Sequence, residues 1–314
     1  MNNQEKIWRL MEKLNTVILG KENLIMSVVA AFLADGHILL EDIPGVGKTT
    51  LATALSKVFA LKNNRVQFTP DVLPSDLTGF SIYQKEQDRF VFQEGAVFCD
   101  LLLADEINRT SPKTQSALLE VMEEKQVTVD GETRKLPQPF FVIATQNPQG
   151  TVGTQLLPPA QMDRFLVSLS MGYPSEADEI ILAKQVANGR RIDSLRNLVN
   201  KDELLEIQAE VNQIYIHDAI YQYLVKLVRE TRQSNEIEIG ASPRGVLALV
   251  KYARAMAWLK GNQFVQPADV ADYFEAAIAH RIVLSPKAQA DGLTKKAVLQ
   301  KIVAQVDKPV LRRI

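Results

Sequence analysis

The chain has 314 residues, 46% of them hydrophobic and 23% charged, which is enough for a large buried core and suggests about two domains. The formal net charge of −1 does not indicate a globally basic nucleic-acid-binding protein. Only one cysteine, Cys99, is present, so no internal disulfide forms. No stretch approaches the ~18 apolar residues of a membrane span, and residues 1–9 lack the apolar core of a signal peptide. We therefore expect a soluble, cytoplasmic protein.

The first predicted elements are helices, followed by a strand. Residues 5–14 and 22–34 carry apolar side chains at the spacing of an amphipathic helix. A short apolar run at 37–40 follows, then a Gly-rich segment at 41–50 and a helical pattern at 51–59. A strand, a Gly-rich turn and a helix start in that order form a phosphate cradle, so this stretch predicts binding of a nucleoside triphosphate.

The residue types in this turn suit that chemistry. Gly45 and Gly47 allow backbone angles that a side chain forbids, so that N–H groups can point at a phosphate. Lys48 is expected to reach the β- and γ-phosphates, and Thr49 to ligate Mg²⁺. Asp42 replaces the first Gly of the usual pattern. The residues expected to bind the nucleotide are Pro44, Gly45, Val46, Gly47, Lys48, Thr49 and Thr50.

Further apolar runs predict the rest of a sheet. Residues 98–104, 140–144 and 165–169 are candidate buried strands, and the helices between them favour a parallel sheet covered on both faces. Two stretches, 80–93 and 126–136, carry apolar residues on either side of a polar turn, as β-hairpins do. The predicted fold class is therefore α/β, with a parallel sheet of the P-loop type and two hairpin inserts.

The pattern changes near residue 174, after which every predicted element is helical. We place a domain boundary there, between a nucleotide-binding α/β domain at 1–174 and a smaller, all-helical lid domain at 175–314. The helices predicted in the lid are 176–188, 202–213, 217–232, 243–260, 267–282 and 294–306.

Polar residues follow two of the predicted strands. An acid at the carboxyl end of a strand faces the ligand crevice of an open α/β sheet. Asp105 is therefore expected to hold Mg²⁺ through water, and Glu106 to polarise the attacking water. Asn147 is expected to offer its amide to the γ-phosphate or to that water, although an Asn-Pro pair alone is only a turn signal.

Two arginines allow two interpretations each. Arg164 either pairs with Asp163 as an ordinary salt bridge or, in a ring of subunits, reaches the neighbour's nucleotide. Arg244 follows Ser242 and Pro243, a natural helix start. It is either a surface residue or closes over the nucleotide from the lid.

Together these motifs resemble the MoxR family of AAA+ ATPases, and the resemblance covers most of the chain. The segments that carry it are 66–71, 73–79, 103–109, 113–120, 127–131 and 144–148. Near the adenine the family has an apolar residue and a Gly followed by Gln, so the resemblance implies that Gly20 binds the nucleotide there, although Lys21 stands in place of the Gln. The resemblance implies a Walker A motif at Gly45–Thr49, a Walker B motif at Asp105 and Glu106, sensor 1 at Asn147, an arginine finger at Arg164 and sensor 2 at Arg244.

The resemblance also implies an activity and its partners. Such a protein hydrolyses ATP to ADP and phosphate with Mg²⁺, as a homo-hexameric ring, and acts like a chaperone that remodels or matures a partner protein complex. Proteins with a von Willebrand factor A domain are the expected partners, supplied by separate chains, and nucleic acid is not expected. The hairpin tips, 85–89 and 131–135, are candidate contacts to a client.

Four other functions are compatible with a phosphate cradle. They are a magnesium-chelatase-like motor subunit, a nucleic-acid or transcription-associated AAA+ ATPase, a small-molecule kinase, and a nucleotide-gated switch without turnover. ATPase stimulation by DNA would favour the nucleic-acid-associated ATPase. Phosphoryl transfer to a metabolite would favour the kinase.

Overall fold

The structure is a computed structural model that describes residues 2–42, 45–86, 88–147, 157–186 and 191–310. Pro44, which belongs to the predicted nucleotide site, and Pro148 lie outside the described residues. Within these ranges no helix combines the length and the apolar character that a bilayer crossing needs.

The first part of the chain alternates strands and helices. Five of its strands form a parallel sheet in the order β2-β5-β8-β1-β9, and the other four pair as the two expected antiparallel hairpins, β3–β4 and β6–β7. In chain order the elements are α1 (Asn3–Asn15), α2 (Glu22–Leu33), β1 (Ile38–Glu41), α3 (Lys48–Val58), β2 (Asn63–Gln67), α4 (Pro74–Thr78), β3 (Phe80–Gln84), β4 (Arg89–Gln93), β5 (Leu101–Asp105), α5 (Pro112–Glu124), β6 (Gln126–Val129), β7 (Glu132–Lys135), β8 (Phe141–Gln146), α6 (Pro159–Met162) and β9 (Val167–Leu169).

Apolar side chains cover both faces of the sheet. In β1, Ile38 and Leu40 enter the core that contains α1, α2 and α3, whereas Leu39 enters the core on the other face. β5 alternates in the same way, with Leu103 on one face and Leu102 on the other. Because a strand buried on both faces needs no polar positions, its sequence is a continuous apolar run. The predicted α/β class is confirmed.

One strand of the sheet, β2, was not predicted from the sequence. β2 has the sequence Asn-Asn-Arg-Val-Gln and lies at the edge of the sheet, where it pairs only with β5. Edge strands tolerate polar side chains, so the apolar run that marked the inner strands is missing here. The strand predicted at 98–104 also begins later, at Leu101, because residues 96–100 form a turn in which the Cys99 N–H donates to the Val97 carbonyl.

The second part is helical apart from a short antiparallel ribbon, β10–β11. The predicted helix 267–282 is instead two short helices, because Tyr273 leaves helical geometry and packs edge-on against Tyr252, with 5.8 Å between ring centroids. In chain order the elements are α7 (Glu176–Val186), α8 (Lys201–Asn212), α9 (Asp218–Gln233), β10 (Ile237–Ile239), α10 (Pro243–Leu259), α11 (Pro267–Ala271), α12 (Phe274–Ile278), β11 (Val283–Leu284), α13 (Pro286–Ala290) and α14 (Lys295–Gln305).

The second part packs directly on the first two helices of the chain. In α10, the Tyr252 hydroxyl donates to the Ser27 carbonyl at 3.3 Å. In α8, the Gln208 amide donates to the Phe32 carbonyl at 2.7 Å. One continuous core of buried apolar residues therefore extends across residue 174, and this contact fixes where the helices of the second part lie relative to the sheet.

Candidate active site

The predicted cradle lies at the carboxyl end of β1. Gly45 and Gly47 have φ angles of 87° and 100°, in the left-handed region that side chains disfavour. α3 begins at Lys48, directly after Gly47. The turn therefore ends at a helix N-terminus, where free N–H groups and the helix dipole attract anions.

Asp42, the unusual residue in the first Gly position, anchors the turn to the segment that follows β9. Its buried carboxylate accepts hydrogen bonds from the N–H groups of Met171 (2.5 Å) and Gly172 (3.0 Å) and from the Ser170 hydroxyl (2.8 Å). A Gly here would lose all three bonds. The substitution is thus a structural feature of the loop.

A cavity of about 380 Å³ opens in front of the cradle. Lys48 is largely buried there, and its ammonium donates to the Asp42 carbonyl at 3.0 Å. The described residues that line the cavity are Gly45, Gly47, Lys48, Thr49, Arg65, Gln67, Asp105 and Glu106.

The two predicted carboxylates meet the cradle in this cavity. Thr145 on β8 aligns them, because its hydroxyl donates to Asp105 at 2.6 Å and accepts the Glu106 N–H at 2.8 Å. Glu106 has a φ of 58°, which costs a non-glycine residue on the order of 1 kcal/mol and is typical of functional sites. Asp105 and Glu106 thus have different surroundings although they are neighbours in sequence.

Three polar partners of these acids were missed in the sequence. Arg65 on β2 pairs with Asp105 at 2.8 Å, and Gln67 donates to Glu106 at 3.1 Å. Arg109 pairs with the same Glu106 oxygen at 2.8 Å. Arg65 and Gln67 are two positions apart on β2, so their side chains lie on the same face of the sheet. This spacing could have predicted their place in the site only if residues 63–67 had been recognised as a strand.

The other predicted residues are more scattered. Asn147 directly follows β8, between β5 and β1 in the sheet, and so lies at the same carboxyl edge as the cavity. Val46 packs against the core, and Thr50 is exposed in the first turn of α3. Gly20 has a φ of 65° and lies against the Asp178 carboxylate of α7, not among the residues that line the cavity.

The residues at this edge fit a magnesium nucleotide. The Thr49 hydroxyl and the Asp105 carboxylate line one cavity, and both are hard oxygen donors of the type Mg²⁺ takes from proteins, with phosphate and water completing its shell. In the described part of the chain no group of three or more His, Cys, Asp or Glu side chains could hold a metal by itself.

Arg164 and Arg244 lie together in a different place. Both pair with one carboxylate, that of Glu123 near the end of α5: Arg164 at 3.0 Å, and Arg244 through its Nη2. Arg164 does not pair with Asp163, which binds Arg281 instead, at 2.7 Å. The two arginines line a cavity of about 360 Å³ together with His37 and Leu166.

This second cavity is at the opposite edge of the sheet. His37 and Leu166 precede β1 and β9, so they mark the amino ends of parallel strands. β1 alone separates the two edges by roughly 13 Å at ~3.3 Å per residue. α5 likewise runs back from the carboxyl edge, and Glu123 lies roughly 17 Å along it from Pro112. The expectation that Arg244 closes over its own chain's nucleotide is therefore not met in this arrangement.

A partly buried polar network holds this edge in place. The Asp163 carboxylate accepts the Ser242 hydroxyl at 2.6 Å and the Arg281 guanidinium at 2.7 Å. Burial lowers the pKa of Arg281 while Asp163 opposes that shift. Arg164 is the residue after Asp163, and Arg244 is two residues after Ser242. The network therefore positions the backbone from which both arginine side chains extend.

Family comparisons agree with this architecture. Residues 37–167 match the family model "ATPase family associated with various cellular activities (AAA)", and residues 229–302 match the "AAA lid domain". Chaperone MoxR1 of Mycobacterium tuberculosis is 35% identical over 98% of this chain and 83% of its own length. The chain belongs to the MoxR family of AAA ATPases. Two proteins named Protein MoxR, from Methylorubrum extorquens and Paracoccus denitrificans, are each 29% identical over 88% and 87% of the chain.

Two further proteins match this chain over nearly their whole length. Uncharacterized protein YeaC of Bacillus subtilis is 45% identical over 97% of this chain and 95% of its own length. The crystal structure of a candidate ATPase from Cytophaga hutchinsonii superposes with a TM-score of 0.91 at 35% identity, covering 98% of this chain and 96% of that one. The order of sheet and lid is thus a shared feature.

Proposed function

We propose that this MoxR-family protein hydrolyses ATP to ADP and phosphate with Mg²⁺, as a homo-hexameric ring in the cytoplasm, and thereby remodels or matures a partner protein complex. The observation that carries the proposal is the separation of two incomplete half-sites. The cradle and its carboxylates line one cavity, while Arg164 and Arg244 share Glu123 at the opposite edge of the sheet. A ring in which one subunit's arginines face the next subunit's cradle completes every site.

In the proposed reaction the cradle edge binds the nucleotide and manages the water. Lys48 and the N–H groups of the turn hold the phosphates, and Thr49 and Asp105 hold Mg²⁺, which neutralises charge on the transferred phosphoryl group. Glu106 polarises the attacking water, with Asn147 at the same edge as a second contact. Gln67 and Arg109 hold the Glu106 carboxylate and so orient it.

The arginine edge serves the neighbouring subunit. Guanidinium groups stabilise the charge that develops on the phosphoryl oxygens. Because Arg244 lies beside Arg164, we assign it the same trans role rather than a role in its own chain. Each site then takes its phosphate contacts from one subunit and its arginines from the next.

A protein client suits the exposed surface of the first hairpin. Phe80, Ile82, Tyr83 and Phe90 are 46%, 44%, 46% and 72% exposed, and such apolar groups favour protein contacts over phosphate backbones. Arg134 of the second hairpin stacks on Phe92 of the first, 4.0 Å from the ring centroid, so the two hairpins act together. The name of Chaperone MoxR1 agrees with a client role, and we propose von Willebrand factor A domain proteins as partners.

ATPase activity that rises with added DNA at low salt and falls back at high salt would instead favour a nucleic-acid motor.

The test is the dependence of ATPase activity on protein concentration. A site completed by a neighbour requires specific activity to rise steeply across the range in which mass photometry detects assembly. Constant specific activity from a protein that stays monomeric would refute the ring. A protein that assembles and binds ATP without turnover would instead be a nucleotide-gated switch.

A further inference from the structure

We infer that Glu123 is a positioning residue for the reaction: it gathers Arg164 and Arg244 into one cationic pair that the neighbouring subunit's nucleotide meets. The inference rests on the proposed function, because it assumes that these arginines act across a subunit interface. It assigns to Glu123 a role that acts through the two arginines.

The contacts of Glu123 are the first evidence. Its two carboxylate oxygens are divided, Oε2 accepting from Arg164 Nε and Oε1 from Arg244 Nη2. Arg164 belongs to the segment between α6 and β9, and Arg244 to the first turn of α10. Two guanidinium groups so close together repel each other, and the shared carboxylate offsets that repulsion. One side chain thus fixes the distance between arginines that come from two parts of the chain.

The exposure of Glu123, Arg164 and Arg244 is consistent with a surface that contacts another subunit. The side chains of Glu123, Arg164 and Arg244 are 40%, 28% and 48% exposed. Ion pairs this exposed contribute only about 0–1 kcal/mol to stability. The arrangement therefore does little for folding, and its value lies in holding two cations in a defined place before a polyanion arrives.

The surrounding charges support an anionic partner. Other acids at this edge are already engaged, since Asp35 pairs with Lys125 and Asp163 with Arg281. Among the described residues that line the cavity there are five cationic side chains and three carboxylates, which leaves a surplus of positive charge. A surface with this balance suits the phosphates of a nucleotide that is already bound in the neighbouring subunit's cradle. The charged residues are Asp35, Glu123, Lys125, Asp163, Arg164, Arg244, Lys251 and Arg281.

Glu123→Gln is the test, because it removes the charge and keeps the shape. Glu124→Gln is the matched control, since Glu124 is the next residue of α5, is also exposed and loses the same charge. We expect Glu123→Gln to lower kcat roughly tenfold, less than the ~hundredfold that a 1 Å misplacement can cost. KM for ATP and the affinity for a fluorescent ATP analogue should stay unchanged, since the cradle binds the nucleotide. All variants are compared in full-length protein at concentrations where mass photometry finds them assembled.

Arg164→Ala separates the inference from the proposed function. If Glu123 acts through the arginines, Glu123→Gln in an Arg164→Ala background should lower kcat much less than it does alone. Suppose that Arg164→Ala is inactive while Glu123→Gln is as active as Glu124→Gln. That result overturns the inference and leaves the proposed function standing. A fully active, assembled Arg164→Ala overturns the proposed function and the inference with it. The inference is also overturned if Glu123→Gln raises KM for ATP or weakens nucleotide binding and leaves kcat unchanged.

Discussion

The two edges of the central sheet are built in different ways. Each main motif of the carboxyl edge is local in sequence: a Gly-rich turn follows one strand, and two acids stand at the end of another. The amino edge is assembled from distant segments, in which Glu123, Arg164 and Arg244 meet only in the folded chain. In the proposed account the first edge binds the nucleotide and takes its arginines from the second edge of the next subunit. One chain would then carry two half-sites that face different neighbours.

The largest effect is expected at the amino edge. Arg164→Ala should lower kcat at least ~10³-fold, the loss typical of an arginine that stabilises the transferred phosphoryl group. ATP affinity should stay the same, because the cradle supplies the contacts to bound ATP and Arg164 acts on the charge that develops in the transition state. Steady-state kinetics and equilibrium binding measure the two effects separately. Arg9→Ala, an exposed arginine on α1, serves as the control, and loss of ATP binding in Arg164→Ala would erase the difference between the edges.

The next effect belongs to the acids of the carboxyl edge. Glu106→Gln should still bind ATP but hydrolyse it roughly a hundredfold more slowly, because an amide does not polarise the attacking water as a carboxylate does. Single-turnover hydrolysis of bound ATP is the measurement. Glu120→Gln, an exposed acid on α5, should be silent. Wild-type turnover in Glu106→Gln would remove this residue from its proposed role.

A binding defect is expected only from the cradle. Lys48→Ala should weaken ATP binding at least tenfold, about 1.4 kcal/mol, because the phosphates lose a charge-assisted contact. Titration with a fluorescent nucleotide measures it. Lys57→Ala is the control, since Lys57 is at the other end of the same helix and pairs with Asp193. Unchanged affinity in Lys48→Ala would refute the cradle.

The last prediction concerns stability, not catalysis, and depends on pH at the amino edge. Burial lowers the pKa of His37 from its usual 6.5 to about 4, and its ring accepts the Val142 N–H at 3.0 Å, which requires a neutral Nδ1. The unfolded chain therefore takes up this proton near pH 6.5 and the folded chain only near pH 4. Stability from this group is complete above pH 6.5 and falls by about 3 kcal/mol between the two values.

Urea unfolding between pH 7.5 and 4.5 measures that loss. Burial also lowers the pKa of His280, with Arg281 adding to the shift, so it acts in the same direction. His217→Asn should keep the slope, because His217 is a half-buried N-cap that Asn can replace. Stability that does not change with pH in this range would contradict a neutral, buried His37 at the amino edge.

The sequence predicts one edge much better than the other. Gly45, Gly47, Lys48, Asp105 and Glu106 are placed by local rules, since a turn and a strand end fix their positions, and all five line one cavity. The apolar runs likewise predicted the inner strands and the α/β class. These features depend on short-range periodicity and turn chemistry.

Contacts between distant segments could not be predicted in this way. Glu123 is an ordinary exposed acid of an amphipathic helix until α10 brings Arg244 to it. Arg65 was missed because the edge strand that carries it has too few apolar residues to be recognised. The side on which Arg244 lies depends on how the second part packs on α1 and α2, which no local pattern encodes.

Mixing two inactive variants tests the two-half account most directly. Lys48→Ala subunits keep their arginines and Arg164→Ala subunits keep their cradles, so an interface between them has one complete site. In equal mixtures that co-assemble at random, roughly a quarter of the interfaces are complete, and we predict ATPase activity near that fraction of wild type. Activity no higher than that of the separate variants, in rings shown by mass photometry to be mixed, would contradict the account.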